Sequence, residues 1–512
     1  MELKKDTRTY QLGNAVLDKT FEQTVESDFI LPDYLAEIVR IVKCIGTPHI
    51  VNKQKVDSKV ILDGYLQFTL LYTSEDSSAL QCFEQTIPFT KQIDCKVPIE
   101  SDLVETAVKG EYINCRATNP RAISVRSSVS IRVKVSGVST QTVLSDVQGG
   151  GIQQKKEEMQ ASFPAAMGQK LFSAEDETDL ALNGSVRAVI GAESRIEPGD
   201  YKVITNKVII KGECKTHVTY LMEDGSVQTA DYVIPVSQVV DIDGCTSDMQ
   251  YDVRLAVLDS KVELKQNIEG ENTVLSTQIV GEVTAICFEQ TTVETIRDVF
   301  STTYDYQYKT KPFACASSTI LAPTTVQIKK QLHLDGAPIE TIYDVWGELN
   351  LMGSRTEGEN VVSSGTIKVT VLGRGADEVL QVQDKNLDCE LRLPAGQSAE
   401  SAAVDLNAQI AAISWSLGGD GAIELQLDIA CQAVLTQQFS GNVVEDVTVD
   451  EETVKEVDKN TALTIYYCDT GEEVWQIAKR YNTSVDAIMQ SNDLEDDRIG
   501  DKRTLLIPIV SE

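Results

Sequence analysis

The sequence predicts a mainly β protein, with three antiparallel β-sandwich-like repeat domains followed by a small α+β domain of strand–helix–helix–strand (βααβ) order. Three observations lead there. An alternating apolar run with a central glycine occurs three times at a period near 150 residues. Each copy is followed by further period-2 runs, the spacing of strands with one buried face. The last stretch, 461–512, switches to the 3–4 residue spacing of amphipathic helices between two short apolar runs.

A chain of 512 residues exceeds what one hydrophobic core serves, since domains run ~100–200 residues. Hydrophobic residues at 42% and charged residues at 24% are ordinary for globular protein and exclude wholesale disorder.

The first copy of the repeat is Val60-Ile-Leu-Asp-Gly64-Tyr-Leu-Gln-Phe-Thr-Leu-Leu-Tyr72, with Val60, Leu62, Leu66, Phe68, Leu70 and Tyr72 on one face. The second runs from Val208 through Gly212 to Tyr220 and aligns Val208, Ile210, Cys214, Val218 and Tyr220. The third, weaker, runs from Val361 through Gly365 to Val371. A glycine at the same strand position predicts a bulge or a close backbone approach. Ile87-Pro88 and Ile234-Pro235 follow at matching distances, and proline there predicts an edge or a strand start. Copy three has Leu387–Leu393 at this place, without the proline. Closing runs such as Ile123–Val135 alternate apolar with polar residues after turn-forming loops at 118–121, 269–272 and 418–421. A period this long marks repeated domains rather than a solenoid.

The boundaries follow: 1–145, 160–295 and 310–440 for the β domains, 441–460 for an acidic linker, and 461–512 for the last module. Residues 146–159 read as a glycine hinge before a charged, helix-compatible segment. Glu445–Asp458 holds seven acids and one lysine, predicting an extended, solvated tether. The module beyond it is expected to fold alone.

Within that module, Leu463–Cys468 reads as a strand. Gly471-Glu-Glu leads a helix carrying Val474, Trp475, Ile477, Ala478 and Tyr481. Thr483 or Ser484 caps a second helix that ends near Asn492, and Leu505–Ile509 closes the domain. This pattern, from Gly471 to Tyr481, Ser484 to Ile488, Ser491 to Leu494 and Leu505 to Pro508, resembles a LysM domain. The resemblance implies a shallow groove for N-acetylglucosamine polymers between the loop before helix 1 and the loop before the last strand. Both loops depart from the family pattern, with Glu472-Glu473 where Asp-Thr/Ser is usual and Gly500-Asp-Lys-Arg503 in place of a Pro-Gly turn. Protein docking is therefore expected ahead of glycan binding. The candidate partner-binding residues are Gly471, Glu472, Glu473, Trp475, Asn492, Lys502 and Arg503, and Trp475 reads either as core or as an interface anchor.

The β repeats, from Phe29-Ile-Leu-Pro-Asp-Tyr-Leu-Ala-Glu-Ile38 into Val60–Gly64 and its echoes, resemble the DUF3794 (SPOCS) domain of spore-forming Firmicutes. Repeats of this kind followed by one LysM domain resemble a clostridial family of spore-coat morphogenetic proteins. That resemblance implies a mother-cell protein that binds the coat ATPase SpoIVA through its LysM domain and encases the forespore. Peptidoglycan binding in wall or cortex is the alternative.

The residues themselves point away from other classes. A net charge of −32 repels phosphate backbones and anionic lipid. Eleven cysteines, scattered and without Cys-x-x-Cys, read as buried thiols in a reducing compartment, with no disulfide expected. No apolar start resembles a signal peptide, and no apolar run approaches membrane-spanning length. The three histidines, His49, His217 and His333, are too dispersed for a metal centre. Neither a P-loop nor a Gly-x-Ser-x-Gly elbow occurs, and Gly373-Arg-Gly375 lacks a third glycine. No catalytic residue, cofactor or metal is expected, and the chain is expected not to be an enzyme.

Overall fold

The computed structural model describes all residues except 1–2, 76, 100–102, 183, 335–338, 376–379, 397–400, 419–421, 456–462, 502 and 509–512. The alternating runs form strands that build three two-sheet units. In unit 1, β1 (Lys4–Ile30), β5 (Leu103–Asn119) and β6 (Ala122–Gln148) form one sheet in the order β1-β6-β5. β2 (Arg40–Val56), β3 (Lys59–Ser74) and β4 (Ser77–Asp94) form the other. Unit 2 repeats this with β7 (Ile152–Asp179), β11 (Gln250–Gln266) and β12 (Asn272–Ser301) against β8 (Val186–Ile204), β9 (Lys207–Met222) and β10 (Val227–Asp241). In unit 3 the first strand is broken into β13 (Tyr304–Ile320) and β14 (Thr324–Leu332). Both pair with β19 (Ile423–Val454) beside β18 (Ala403–Leu417), opposite β15 (Thr341–Glu357), β16 (Asn360–Arg374) and β17 (Leu380–Pro394).

The glycine strands are the central strands β3, β9 and β16. Val60, Leu62, Leu66, Phe68, Leu70 and Tyr72 are all buried, as are Val208, Ile210, Cys214, Val218 and Tyr220. Gly64, Gly212 and Gly365 each lie against a register shift on the neighbouring strand, at Ile50/Asn52, Pro198/Tyr201 and Leu351/Gly353. A Cβ there would press on the carbonyl oxygen of His49, Glu197 or Asn350. The repeated glycine is thus the partner of a repeated bulge. Pro88 and Pro235 sit in β4 and β10, the edge strands of their sheets, where the missing N–H costs no ladder bond.

The units are not beads on a string. The strand pairs β1/β6, β7/β12 and β13/β19 extend beyond their sandwiches and share apolar layers. One layer holds Tyr10, Val143, Phe163, Val293, Phe313 and Val443, and the next holds Leu144, Val147, Ile296, Val299, Val444 and Val447. Buried ion pairs join all three units. Lys53 meets Glu282 at 2.7 Å, Arg254 reaches Glu105 at 3.2 Å and Asp405 at 3.1 Å, and Lys134 reaches Asp405 at 2.5 Å. Burial alone would raise the Asp405 carboxyl, but Arg254 and Lys134 outweigh it and hold it at about 2. His217 of β9 bonds the fully buried Asp344 of β15 at 3.1 Å.

Three expectations are corrected. Residues 152–159 belong to strand β7, not to a helix, because they pair with the end of β12 from Val293 to Ser301. Glu445–Val454 is no tether; it is the end of β19, paired with β13, with Val447 buried between the acids and Val444 buried just before them. The rest of that acidic run, 456–458, lies outside the described residues. Cys245 and Cys287 form a disulfide, since the loop after β10 folds over β12 and brings their Cα atoms to 6.1 Å. Cys44, Cys82, Cys115, Cys214, Cys315, Cys389, Cys431 and Cys468 are free thiols.

Candidate functional site

The C-terminal module is built of β20 (Leu463–Cys468), α1 (Val474–Tyr481), α2 (Val485–Ser491) and β21 (Arg503–Pro508), with β20 and β21 antiparallel. Ser484 caps α2, its Oγ accepting from the Ala487 amide at 3.1 Å. Asn482 ends α1 in the left-handed conformation at φ 52°. Thr483, the other candidate cap, instead donates to the Pro508 carbonyl at 2.8 Å.

The module is seated on the far end of the long strands. Phe300 of β12 is fully buried in the module's own core, with Val474, Trp475, Ile477, Ile488 and Leu505. Its ring meets Trp475 edge-on at 4.9 Å. The Trp475 indole N–H donates to Asp298 Oδ2 at 2.9 Å, and Lys479 Nζ donates to both Asp298 oxygens at 2.8 Å. Burial alone would raise the Asp298 carboxyl; the hydrogen bonds from Lys479 and Trp475 outweigh it and hold it below the usual carboxylate range. Lys155 of β7 pairs with Glu473 at 2.6 Å, and Lys455 donates to Asn482 Oδ1 at 2.9 Å.

The residues singled out in the sequence therefore separate. Trp475, 5% exposed, is both core and anchor, but the surface it anchors to belongs to this chain. Glu473 is held by Lys155 and Arg498. Glu472 turns inward, accepting from Tyr466 Oη at 2.9 Å and the Asp469 amide at 3.0 Å. Asn492 ties α2 to β21: its Nδ2 donates to Ile488 and Leu506 carbonyls and its Oδ1 accepts from the Leu506 amide, all within 2.8 Å. Gly471 supplies a turn at φ +86°. Arg503 is exposed and donates to the Asn492 carbonyl at 3.2 Å. Lys502 lies outside the described residues. The six described residues do not form one open rim.

An exposed surface lies elsewhere. The strand alternation turns Leu463, Ile465 and Tyr467 of β20 outward at 45%, 59% and 79% exposure, with Leu506 of β21 beside Ile465 in register. Thr464, Tyr466 and Cys468 face the helices. The period-2 rule applied to Leu463–Cys468 would have found this face; the aromatic residue in the helix drew the reading away from it.

The chain matches the family model described as SipL, SPOCS domain, over residues 37–118 and 185–265, and the LysM domain model over 470–508. The chain carries SPOCS and LysM domains. The two SPOCS segments coincide with the second sheets of units 1 and 2 together with β5 and β11, and the unmatched unit 3 repeats their topology. No curated protein and no solved structure matches the chain. SPOCS domains joined to LysM support a sporulation-related coat protein with a module of the cell-wall-binding type. No helix among the described residues is long and apolar enough to cross a membrane.

Proposed function

We propose that this SPOCS–LysM protein is a non-enzymatic scaffold of the spore coat, made in the mother cell and assembled on the forespore surface. It docks through the outer face of its LysM ribbon onto a coat-layer protein, a SpoIVA-like ATPase. The observation that carries the reading is the apolar face Leu463, Ile465, Tyr467 and Leu506, left open while the Trp475 side of the domain is committed to the body. Contiguous exposed apolar side chains on a rigid ribbon suit a protein surface. The loop flanking the expected sugar groove has its two carboxylates occupied within the chain.

The test is capture of a purified SpoIVA-type ATPase by the full-length protein and by Ile465→Glu and Tyr467→Glu variants. Both sites are exposed, so melting should shift by less than ~0.5 kcal/mol equivalent, while capture should fall at least ~10-fold. Normal melting with full capture would overturn the ribbon as the docking face. Retention of the protein on insoluble peptidoglycan, unaffected by either change, would favour the glycan reading instead.

A further inference from the structure

A second exposed apolar surface lies at the other end of unit 1. Residues 31–39 connect β1 to β2, and within ten positions Ile30, Tyr34 and Val39 are 78%, 85% and 58% exposed. The loop is not loose. Arg121 donates to the carbonyls of Pro32 at 2.7 Å and of Leu31 and Leu35 at 3.3 Å. Tyr72 Oη donates to the Ala36 carbonyl at 2.9 Å, and Leu31 and Ile38 are buried beneath. The cost of ordering the loop backbone that carries these side chains has thus been met before anything binds. The corresponding loop of unit 2, at 180–185, turns Leu180 and Leu182 against its own core instead.

The charge distribution says what can approach. Residues 1–145 hold 17 Lys and Arg against 18 Asp and Glu, a net −1. Residues 146–512 hold 29 against 60, a net −31. Two copies of the chain repel each other across units 2 and 3 and the LysM domain, and least across unit 1. The rim of the loop carries both signs, with Asp33, Glu37 and Arg40 all exposed. A two-fold contact requires such a self-complementary patch, because each acid then faces the arginine of its image.

We propose that a second copy of this chain docks here, forming a two-fold dimer through the 31–39 loop, with Tyr34 and Ile30 at its centre. β1 starts at Lys4 in the shared stalk and reaches the loop at Ile30, so the dimer contact and the LysM domain lie at opposite ends of unit 1. The dimer carries two free LysM ribbons, which makes it bivalent toward any array that one ribbon binds. A patch this small gives a weak, transient contact with micromolar affinity.

Sedimentation velocity of the full-length protein over about 1–100 µM, the range that brackets micromolar affinity, tests this. The weight-average mass should rise from 56.2 kDa toward twice that value. Ile30→Glu with Tyr34→Glu should stay monomeric throughout while melting as the parent does. Arg40→Glu should weaken association, and adding Glu37→Arg should restore it by exchanging the charges of the rim. A parent monomeric at every concentration, or a double variant that still dimerises, overturns the proposal. So does a parent that stays monomeric but floats with phosphatidylcholine–phosphatidylglycerol vesicles through Tyr34, which would make the loop a lipid contact.

Discussion

Asp298 receives the Trp475 indole N–H and the Lys479 ammonium while Phe300, two positions on, fills the LysM core. Asp298→Ala leaves both donors without their partner, a loss of ~1–3 kcal/mol for a half-buried site. Denaturant unfolding followed by tryptophan fluorescence should show it. Because the Asp298 pKa is depressed in the fold, its contribution is complete above the ordinary carboxylate pKa and is lost as pH falls through its lowered value. His217 has the opposite sign. Its hydrogen bond to Asp344 raises it to about 9. The stability it contributes between units 2 and 3 is full below its unfolded pKa near ~6.5 and is lost as pH rises through about 9. Melting temperature against pH should fall across that window in the parent and lose that fall in His217→Gln. Neither residue was legible as important in the sequence. Asp298 sits among ordinary strand residues, and His217 lies on a polar alternation; what each holds together depends on a partner more than a hundred positions away.

At the scale of elements, alternation and glycine spacing were readable because a strand's two faces meet different solvents. Gly64→Ala sets a Cβ against the His49 carbonyl and Phe89 and should destabilise by ~1–3 kcal/mol through the bulge it displaces, measurable as a lower denaturant midpoint. Composition misled at the end of β19. Its acids suggested a tether, but Val443, Val444 and Val447 are buried beneath them, and the acids occupy the solvent side of a paired strand. The independence expected of the LysM domain changes accordingly. An excised 461–512 fragment exposes the Trp475 face that Phe300 and Asp298 cover, so it should melt below the same domain in the full chain. Phe300→Ala in the full chain should reproduce much of that loss, ~3–5 kcal/mol for a buried aromatic. A fragment as stable as the intact protein would refute the seating.

For the whole molecule, the three units share the layers from Tyr10 to Val443 and the ion pairs around Arg254. Unfolding one unit strands charges and apolar strand ends in the other two. Calorimetry should therefore show one dominant transition for residues 3–454 rather than three separable ones, and Arg254→Ala should lower it by several degrees. Three independent transitions would contradict a shared core. Thiol counting under denaturing conditions without reductant should find Cys245 and Cys287 bridged and therefore fewer thiols than the eleven that composition alone suggested.

Periodicity, glycine placement and the helical switch after residue 470 determined by themselves that this is a β-repeat protein ending in a βααβ domain. They could do so because secondary structure and the inward face of each element follow from spacing along the chain. Only the tertiary structure decided that the repeats share one core, that Cys245 meets Cys287, that Trp475 anchors the LysM domain to its own body, and that the outward face of Leu463–Tyr467 is the one left open. Those depend on contacts between residues far apart in sequence, where the free energy lies in which surfaces are covered rather than in how any one segment is patterned.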